Sequence, residues 1–352
     1  MTGNTRRRPR QADIAKLAGV SQATVSLVLS GSGKEDSRIP EETRKRVIET
    51  ARTLEYVANP VARSLAGGRT NLIGLYTFES IFPVDHRDFY YPFLVGIESA
   101  AGEYGYDITL FTSATGKQGV QRLYGDGRNR FQLVDGSIML GKDMDKSVIA
   151  KMRDDGYPFV LIGRRDIPDG GVTYVATDYA TATAELVKVL HDFGHRKFAY
   201  FYVADETEPA SDRNLGLERA VSELSLAHAP LKFPVVSEHD LSIDVIEKAL
   251  DAGCTAYISH QYEVAAKLTY LIRNVGKTVP GDVSIAALDD PQYGDSDIKI
   301  AGFDIPRYEM GHKAIQLLVE KIGGAENNTV QEITFPIEIV MGDSIAINAA
   351  GE

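Results

Sequence analysis

The chain is poor in the residues from which redox and metal frameworks are built: its 352 residues include one cysteine, Cys254, and no tryptophan. A single cysteine excludes an internal disulfide framework and every cysteine-based structural zinc site, and it suits a reducing compartment. No stretch approaches the roughly 18 consecutive apolar residues of a membrane span, and the basic stretch Met1 to Arg10 lacks the apolar run that follows in an export signal. The expectation is a cytoplasmic protein with no membrane partner. Hydrophobic residues at 43% and charged residues at 25% fit a folded soluble chain and are too apolar for a disordered one. At roughly 100 to 200 residues per domain, two or three domains are expected.

Positive charge is also in short supply, with 38 Lys and Arg against 49 Asp and Glu. That net of −11 on its own argues against a nucleic-acid partner. Its distribution argues the other way. Residues 1–70 hold 13 Lys and Arg against 7 Asp and Glu, a net of +6, which leaves 25 against 42, a net of −17, for residues 71–352. A basic head on an acidic body suggests a nucleic-acid-binding segment joined to something else. A basic solvated tail is the plainer alternative, and motifs must decide between them.

Residues 11–29 read as two short helices and a tight turn. Ile14, Ala15, Leu17 and Ala18 supply an apolar face, Gly19 is suited to the positive φ that ends a helix, and Ser21 is placed to cap the next one. In the second helix Val25, Val28 and Leu29 fall on one side, while Gln22, Ala23, Ser26 and Leu27 fall on the other. This is helix-turn-helix geometry, in which the second helix offers its first residues to base edges in the major groove. Gln22 suits an adenine edge, and Ala23 or Leu27 a thymine methyl. An ordinary αα-hairpin fits the same fragment. A third helix is expected from about Pro40 to Leu54, with Val47, Ile48 and Ala51 on one face. One or two further helical turns, 59–66, stop at Gly67-Gly68 and are too short to be stable alone.

These residues resemble the lac-repressor (LacI/GalR) family of bacterial transcription regulators. The resemblance runs through Asp13-Ile14-Ala15-Lys16-Leu17-Ala18-Gly19-Val20-Ser21, Thr24-Val25-Ser26, Glu42-Thr43-Arg44, Val47 and Tyr56, and on through Ala62-Arg63-Ser64-Leu65, Arg69-Thr70 and Ile73-Gly74. It implies a helix-turn-helix DNA-binding domain over 1–58, a hinge helix and linker over 59–70, and a two-lobed effector-binding and dimerisation domain over 71–352. Ser21, Gln22, Ala23, Thr24, Ser26 and Leu27 would then face DNA. In the hinge, Leu65 would wedge into the central base step from the minor groove, and Ala62 would let paired hinge helices approach. The loop between Ser30 and Ile39 is about four residues longer than the family spacing, and Pro40 stands where a capping serine is usual, which leaves phosphate contacts from Lys34 or Arg38 open.

From residue 71 short apolar runs alternate with helical stretches. Strands are expected at 72–78, 108–111, 136–140, 159–162, 198–203, 256–259 and 283–288. Helices are expected at 89–104, 120–131, 180–193, 211–224, 243–251 and 263–275. Such alternation implies parallel sheets covered on both faces, with ligands at the carboxyl ends of the strands, and about 280 residues suits two lobes and a cleft better than one sheet. The family resemblance continues here through Asp135-Gly136, Val175 to Asp178, Gly194-His195-Arg196, Arg213 with Gly216, Val279 to Ser284, Asp289-Asp290 and Glu309-Met310-Gly311. It implies a core like that of periplasmic sugar-binding proteins, with three chain crossings between the lobes. It also places Arg213 and Asp289 in the cleft, with Arg164, Asp178, Phe89 and Tyr90 beside them. A carboxylate, a planar guanidinium and an aromatic ring together suit a polyol, and a surface ion pair or a core ring is the plainer role for each. Where the family carries Asn-Asp, this chain has Gln261-Tyr262, which keeps an amide and removes a carboxylate. Ala287-Leu288 replaces a Gly-aromatic pair, Ala301-Gly302 replaces Thr-Thr, and 79–88 is a longer loop than expected.

Enzyme motifs are sparse. Gly136 to Lys142 matches G-x-x-x-x-G-K, but Asp143 stands where Ser or Thr would hold magnesium, and 137–140 reads as strand. No H-E-x-x-H, G-x-S-x-G or G-x-G-x-x-G occurs. The seven histidines are scattered, and Asp289-Asp290 has no third clustered ligand to complete a metal site. No cofactor or metal is therefore expected. The leading expectation is a homodimeric repressor that binds palindromic operator DNA and a small-molecule effector, a sugar or related metabolite. A tetramer stays open, although the tail after Ser344 lacks a leucine heptad. A cytoplasmic binding module and an α/β enzyme with a basic tail are the alternatives.

Overall fold

A computed structural model describes residues 9–30, 39–56, 69–77, 87–111, 133–141, 144–204, 207–235, 237–290, 297–324 and 329–348. These fall into two compact units, one reaching to Leu72 and including 133–135, the other made of the remaining described residues from Ile73 onward. In the first unit Asp135 accepts hydrogen bonds from the Thr70 N–H (2.7 Å), the Thr70 hydroxyl (2.8 Å) and the Asn71 N–H (2.9 Å).

The head contains three helices, α1 (Gln11–Ala18), α2 (Gln22–Ser30) and α3 (Glu41–Thr53). Gly19 ends α1 at φ 64°, a left-handed conformation for which glycine carries no Cβ penalty, and its N–H returns to the Ala15 carbonyl. The chain bends by 108° between α1 and α2. Ile14, Ala15, Ala18, Val25, Val28, Val47 and Ala51 form the core, with Leu29 and Ile48 packed at its edge. Arg46 fastens α3 to α1 by donating from Nε to the Ala18 carbonyl at 2.9 Å. Leu17 departs from its expected place on the apolar face and is 67% exposed, because the adjacent α1 positions Ala15 and Ala18 already fill the contact with α2 and α3. The hinge residues Ala62 and Leu65, the 31–38 loop, the 79–86 loop and the helix expected at 120–131 lie outside the described residues.

The body has two sheets. The first lobe carries β1 (Leu72–Thr77), α4 (Arg87–Glu103), β2 (Asp107–Phe111), β3 (Gly136–Leu140), α5 (Lys146–Asp154), β4 (Phe159–Ile162) and β5 (Tyr174–Thr177). The second carries α6 (Tyr179–Asp192), β6 (Phe198–Tyr202), α7 (Glu208–Glu223), β7 (Leu231–Pro234), α8 (Ile243–Asp251), β8 (Ala256–Ser259), α9 (Tyr262–Asn274) and β9 (Ser284–Ala287). After β10 (Gly302–Asp304), the chain returns to the first lobe for α10 (Arg307–Ile322) and β11 (Glu332–Phe335), then leaves it through β12 (Glu338–Val340). The strand orders are β11-β5-β4-β3-β1-β2 and β7-β6-β8-β9, while β10 and β12 pair antiparallel in a ribbon of their own. The ladders β11–β5, β5–β4, β4–β3, β3–β1 and all three of the second sheet run parallel. Buried on both faces, β3, β4, β8 and β9 are continuous apolar or small-residue runs without alternation. The lobes are thus crossed at 177–179, 304–307 and 335–338.

Helices α4 and α10 approach closely enough to require glycine. A Cβ on Gly96 would stand 2.1 Å from the Tyr308 carbonyl oxygen, and one on Gly311 would stand 2.4 Å from that of Phe93. The segment after β12 closes the second lobe from below. The Ser344 hydroxyl donates to the Ile285 carbonyl (2.6 Å) and accepts from the Ala301 N–H (2.8 Å), and the Asn348 N–H donates to the Phe193 carbonyl (2.7 Å). His195 sits under this segment, with Nδ1 2.9 Å from the Thr255 hydroxyl and Nε2 3.2 Å from the Ala346 carbonyl. Burial lowers its pKa, so the ring is a neutral structural link. No single described helix is long and apolar enough to cross a membrane.

Candidate functional site

In the head, the surface of α2 is set by its first turn. The Ser21 hydroxyl accepts from the Thr24 N–H at 3.1 Å and shares a hydrogen bond with the Thr24 hydroxyl at 2.9 Å, which satisfies one of the N–H groups left open at a helix start. Gln22 and Ala23 stand exposed at that end, while Thr24, Ser26 and Leu27 are half-buried. Val25 and Val28 face the core. One end of α2 therefore offers an amide, a methyl and a helix N-terminus outward, a surface able to meet a base edge and a phosphate.

In the body, the expected effector residues gather at the carboxyl ends of the parallel strands: Phe89 and Tyr90 after β1, Arg164 after β4, Asp178 after β5, Arg213 after β6, Gln261 and Tyr262 after β8, and Asp289 after β9. Their contacts differ. Arg213 lies flat on Tyr179, its guanidinium carbon 3.9 Å from the ring centre, with Nε donating to the Leu288 carbonyl (3.0 Å) and Nη1 to that of Pro209 (3.2 Å). The Asp178 carboxylate caps α6 by accepting from the Thr181 N–H at 2.9 Å. Arg164 bridges the lobes, donating to Asp166 and, at 2.7 Å, to Asp212 on α7. Phe89 is half-buried and meets Tyr90 edge-on at 5.0 Å, while Tyr90 itself is buried in the core. Gln261 is the first residue before α9 and makes no side-chain cap. Tyr262 departs from the effector assignment: it is 5% exposed and belongs to the buried apolar cluster of the second lobe that also holds Val264, Ala265 and Leu268.

Several groups at the cleft were not anticipated from the sequence. Arg307, at the start of α10 and 3% exposed, donates from Nη2 to Asp289 Oδ1 (3.0 Å) and from Nη1 to Asp290 Oδ2 (2.9 Å), and lies 5.0 Å from the Phe89 ring. Asp289 Oδ1 also accepts from the Asp290 N–H at 2.9 Å. Glu208 on α7 is held by the first lobe: Oε1 receives Lys146 Nζ at 2.8 Å and the Asp166 N–H at 3.0 Å, and Oε2 lies 3.8 Å from Arg165 Nε. Burial pushes the Glu208 pKa up, but Lys146, the Asp166 N–H and Arg165 together outweigh it and leave the group below its ordinary value. Burial wins at Asp212, whose pKa is raised in spite of Arg164. Behind Arg213, His260 bonds Tyr200 through Nε2 (2.5 Å) and accepts the Val203 N–H at Nδ1 (3.3 Å). Burial, reinforced by the charge of Arg213, takes its pKa down to about 2, so the ring is neutral, and because Nδ1 accepts from Val203 the one ring proton resides on Nε2. Among the described residues, no group of three or more His, Cys, Asp and Glu is placed to hold a metal ion.

A three-helix head that presents a capped recognition helix, followed by two parallel-sheet lobes with polar groups converging between them, defines a DNA-binding regulator with an effector-binding core. Comparison with known proteins gives the family. Residues 12–59 match the bacterial regulatory proteins of the lacI family, and residues 187–345 match the periplasmic binding protein-like domain. The chain belongs to the lacI family of bacterial regulatory proteins, and like its relatives it is a transcriptional regulator. It is 27% identical to the HTH-type transcriptional regulator CelR of Thermobifida fusca, over 98% of this chain and 99% of that one. It is 28% identical to catabolite control protein A of Priestia megaterium, over 88% and 91%. Among solved structures, the lac repressor dimer bound to operator and the anti-inducer ONPF superposes with a TM-score of 0.73 at 20% identity, covering 97% of this chain and 100% of that one. A CelR–cellobiose complex superposes at 0.68 and 23%, covering 96% and 100%.

Proposed function

We propose that the protein is a homodimeric repressor that binds a palindromic operator through its two heads and changes its affinity when a sugar-like effector enters the cleft. The observation that carries the DNA half is the Ser21-capped start of α2, which leaves Gln22 and Ala23 exposed. The domains run 1–58 for the head, 59–70 for the hinge and 71–352 for the core. Ser21, Gln22, Ala23, Thr24, Ser26 and Leu27 meet the major groove, and Ala62 and Leu65 act in the hinge. One three-helix head buries too little DNA for specific affinity, and a two-fold protein matches a two-fold site. Arg213, Asp289, Arg164, Asp178, Phe89 and Gln261 line the effector cleft, with Tyr90 supporting Phe89. Two of the relatives' names favour this reading, since one structure holds cellobiose and another holds operator. An effector regulates only by binding one lobe arrangement better than another.

Selection from random duplex DNA with the full-length chain tests the reading. An inverted repeat is the expected product, and Gln22→Ala should relax the preference at one base pair of each half-site. Recovery of sequences without two-fold symmetry would overturn the dimer–operator reading.

A further inference from the structure

We infer that Glu208 and Asp212 on α7 form a latch, by which the chain's own ion pairs hold the two lobes in one arrangement and set the balance on which any effector acts. The consequence for operator binding rests on the function proposed above; the latch itself does not. The two carboxylates stand four residues apart, one turn along the same face of α7. Glu208 is buried and accepts on Oε1 from Lys146 Nζ (2.8 Å) and the Asp166 N–H (3.0 Å), with Oε2 3.8 Å from Arg165 Nε. Asp212 accepts from Arg164 Nη2 at 2.7 Å. All four partners belong to the first lobe, since Lys146 opens α5 after β3 and residues 164–166 follow β4.

The first-lobe side of the latch is held in place. Arg165 is buried, with Nη1 donating to the Arg164 carbonyl and Nη2 to that of Gly141. Gly163 leaves room for this guanidinium, because a Cβ there would stand 2.9 Å from Nη1. The two carboxylates also decide the sign of the force between the lobes. Helix α7 begins, with the partial positive charge of a helix start, against a rim that bears Lys146, Arg164 and Arg165. The nearby acids Asp145 and Asp166 are engaged with Ser147 and Arg164. Without Glu208 and Asp212 the facing surfaces would both be positive and would repel; with them, they attract. An effector that fits a different arrangement binds only the unlatched fraction of chains, and its apparent affinity falls in proportion to that fraction.

Distances between spin labels test the latch in the full-length protein. The labels go on Lys151→Cys in the first lobe and Glu218→Cys in the second, both exposed positions, in a Cys254→Ala background, with labelled chains diluted by unlabelled ones so that each distance lies within one chain. The parent should give a single narrow distance. Glu208→Gln combined with Asp212→Asn should give a longer and broader distribution, and Lys146→Met, at a half-exposed side chain, a smaller shift in the same direction. Lys146→Met added to Glu208→Gln should shift the distance little beyond Glu208→Gln alone, since both remove the same contact. An unchanged distribution in the Glu208→Gln, Asp212→Asn protein with the circular dichroism of the parent, or full additivity of Lys146→Met and Glu208→Gln, would overturn the latch. If the doubly substituted protein does not fold, Lys146→Met alone decides: no shift sinks the inference. Operator affinity of the same samples, with no effector added, should change by about fivefold or more, the low end of allosteric coupling. Longer distances with unchanged operator affinity would leave the latch standing and sink the lobe-coupled control of the operator instead.

Discussion

Ser21 and His260 show how much a single side chain settles in this protein. Replacing Ser21 with alanine removes the acceptor for the Thr24 N–H, which should cost the head about 1 kcal/mol, read as faster amide hydrogen exchange through α2 with the body unaffected. His260 sets a pH limit. Its pKa is about 2 in the folded chain against 6.5 for an unperturbed ring, so below pH 6.5 the unfolded chain takes up a proton that the native state refuses. The stability due to the neutral ring is complete above pH 6.5 and declines as pH falls, by about 1.4 kcal/mol per unit. His195, lowered in the same direction by burial, adds to the slope. Chemical denaturation of the body between pH 7 and 5 should show this decline, and His260→Gln should flatten it; an unchanged slope would rule out His260 as its source. Arg307 offers a third test. Its replacement by methionine leaves Asp290, 4% exposed at its side chain, without its guanidinium partner, at a cost of about 3–5 kcal/mol. The additional change Asp290→Asn should recover part of that loss.

Among the elements, the pair α4 and α10 is the most sensitive to substitution. Alanine at Gly96 or Gly311 would drive a methyl carbon into a backbone carbonyl of the facing helix, and separating two packed helices costs about 1–3 kcal/mol or more. Gly102 lies in the same helix as Gly96, but a Cβ added there would meet nothing within 4 Å, so alanine at that position should be neutral or stabilising, by up to about 1 kcal/mol. Thermal melts of the three variants should separate cleanly; equal midpoints would refute the close packing. Elements with a strong pattern were legible in the sequence: α2, α8 and the strands β3, β4 and β8 stand where apolar periodicity puts them. The strands β5, β7, β10, β11 and β12 escaped, being three or four residues long and, in β7, β11 and β12, half exposed with no apolar run. Helix α10 was missed although Met310, Ala314, Ile315, Leu317 and Leu318 line one side, because a buried arginine opens it. The cleft was legible as a set of positions, since strand ends are readable, but not as a set of partners. Arg307 meets Asp289 across 18 residues and Lys146 meets Glu208 across 62, pairings that only the chain crossings create.

At the level of the whole molecule, the division of charge governs recognition. The net +6 of residues 1–70 works against the −17 of the rest, so nonspecific affinity for DNA should be weak and confined to the head. Each phosphate neutralised releases condensed counterions, and log K should fall with log salt at a slope of about −0.9 per contact. Anisotropy titrations of the intact protein across a salt series should give a steep line, and a flat one would deny the head a DNA role.

The crossings also impose an order on synthesis. Strands β6 to β9 are contiguous from 198 to 287, so most of the second lobe emerges from the ribosome as one piece. The first lobe cannot finish when its early strands appear: α10, which packs on α4, and β11, which pairs with β5, are made more than 120 residues after β5. During elongation the edge of β5 stays open and the glycine face of α4 stays bare. The segment 332–348 joins both lobes, through β11 on β5 and Ser344 on the Ile285 carbonyl, so a chain cut before it leaves two unfinished lobes where a linear arrangement of domains would leave one intact.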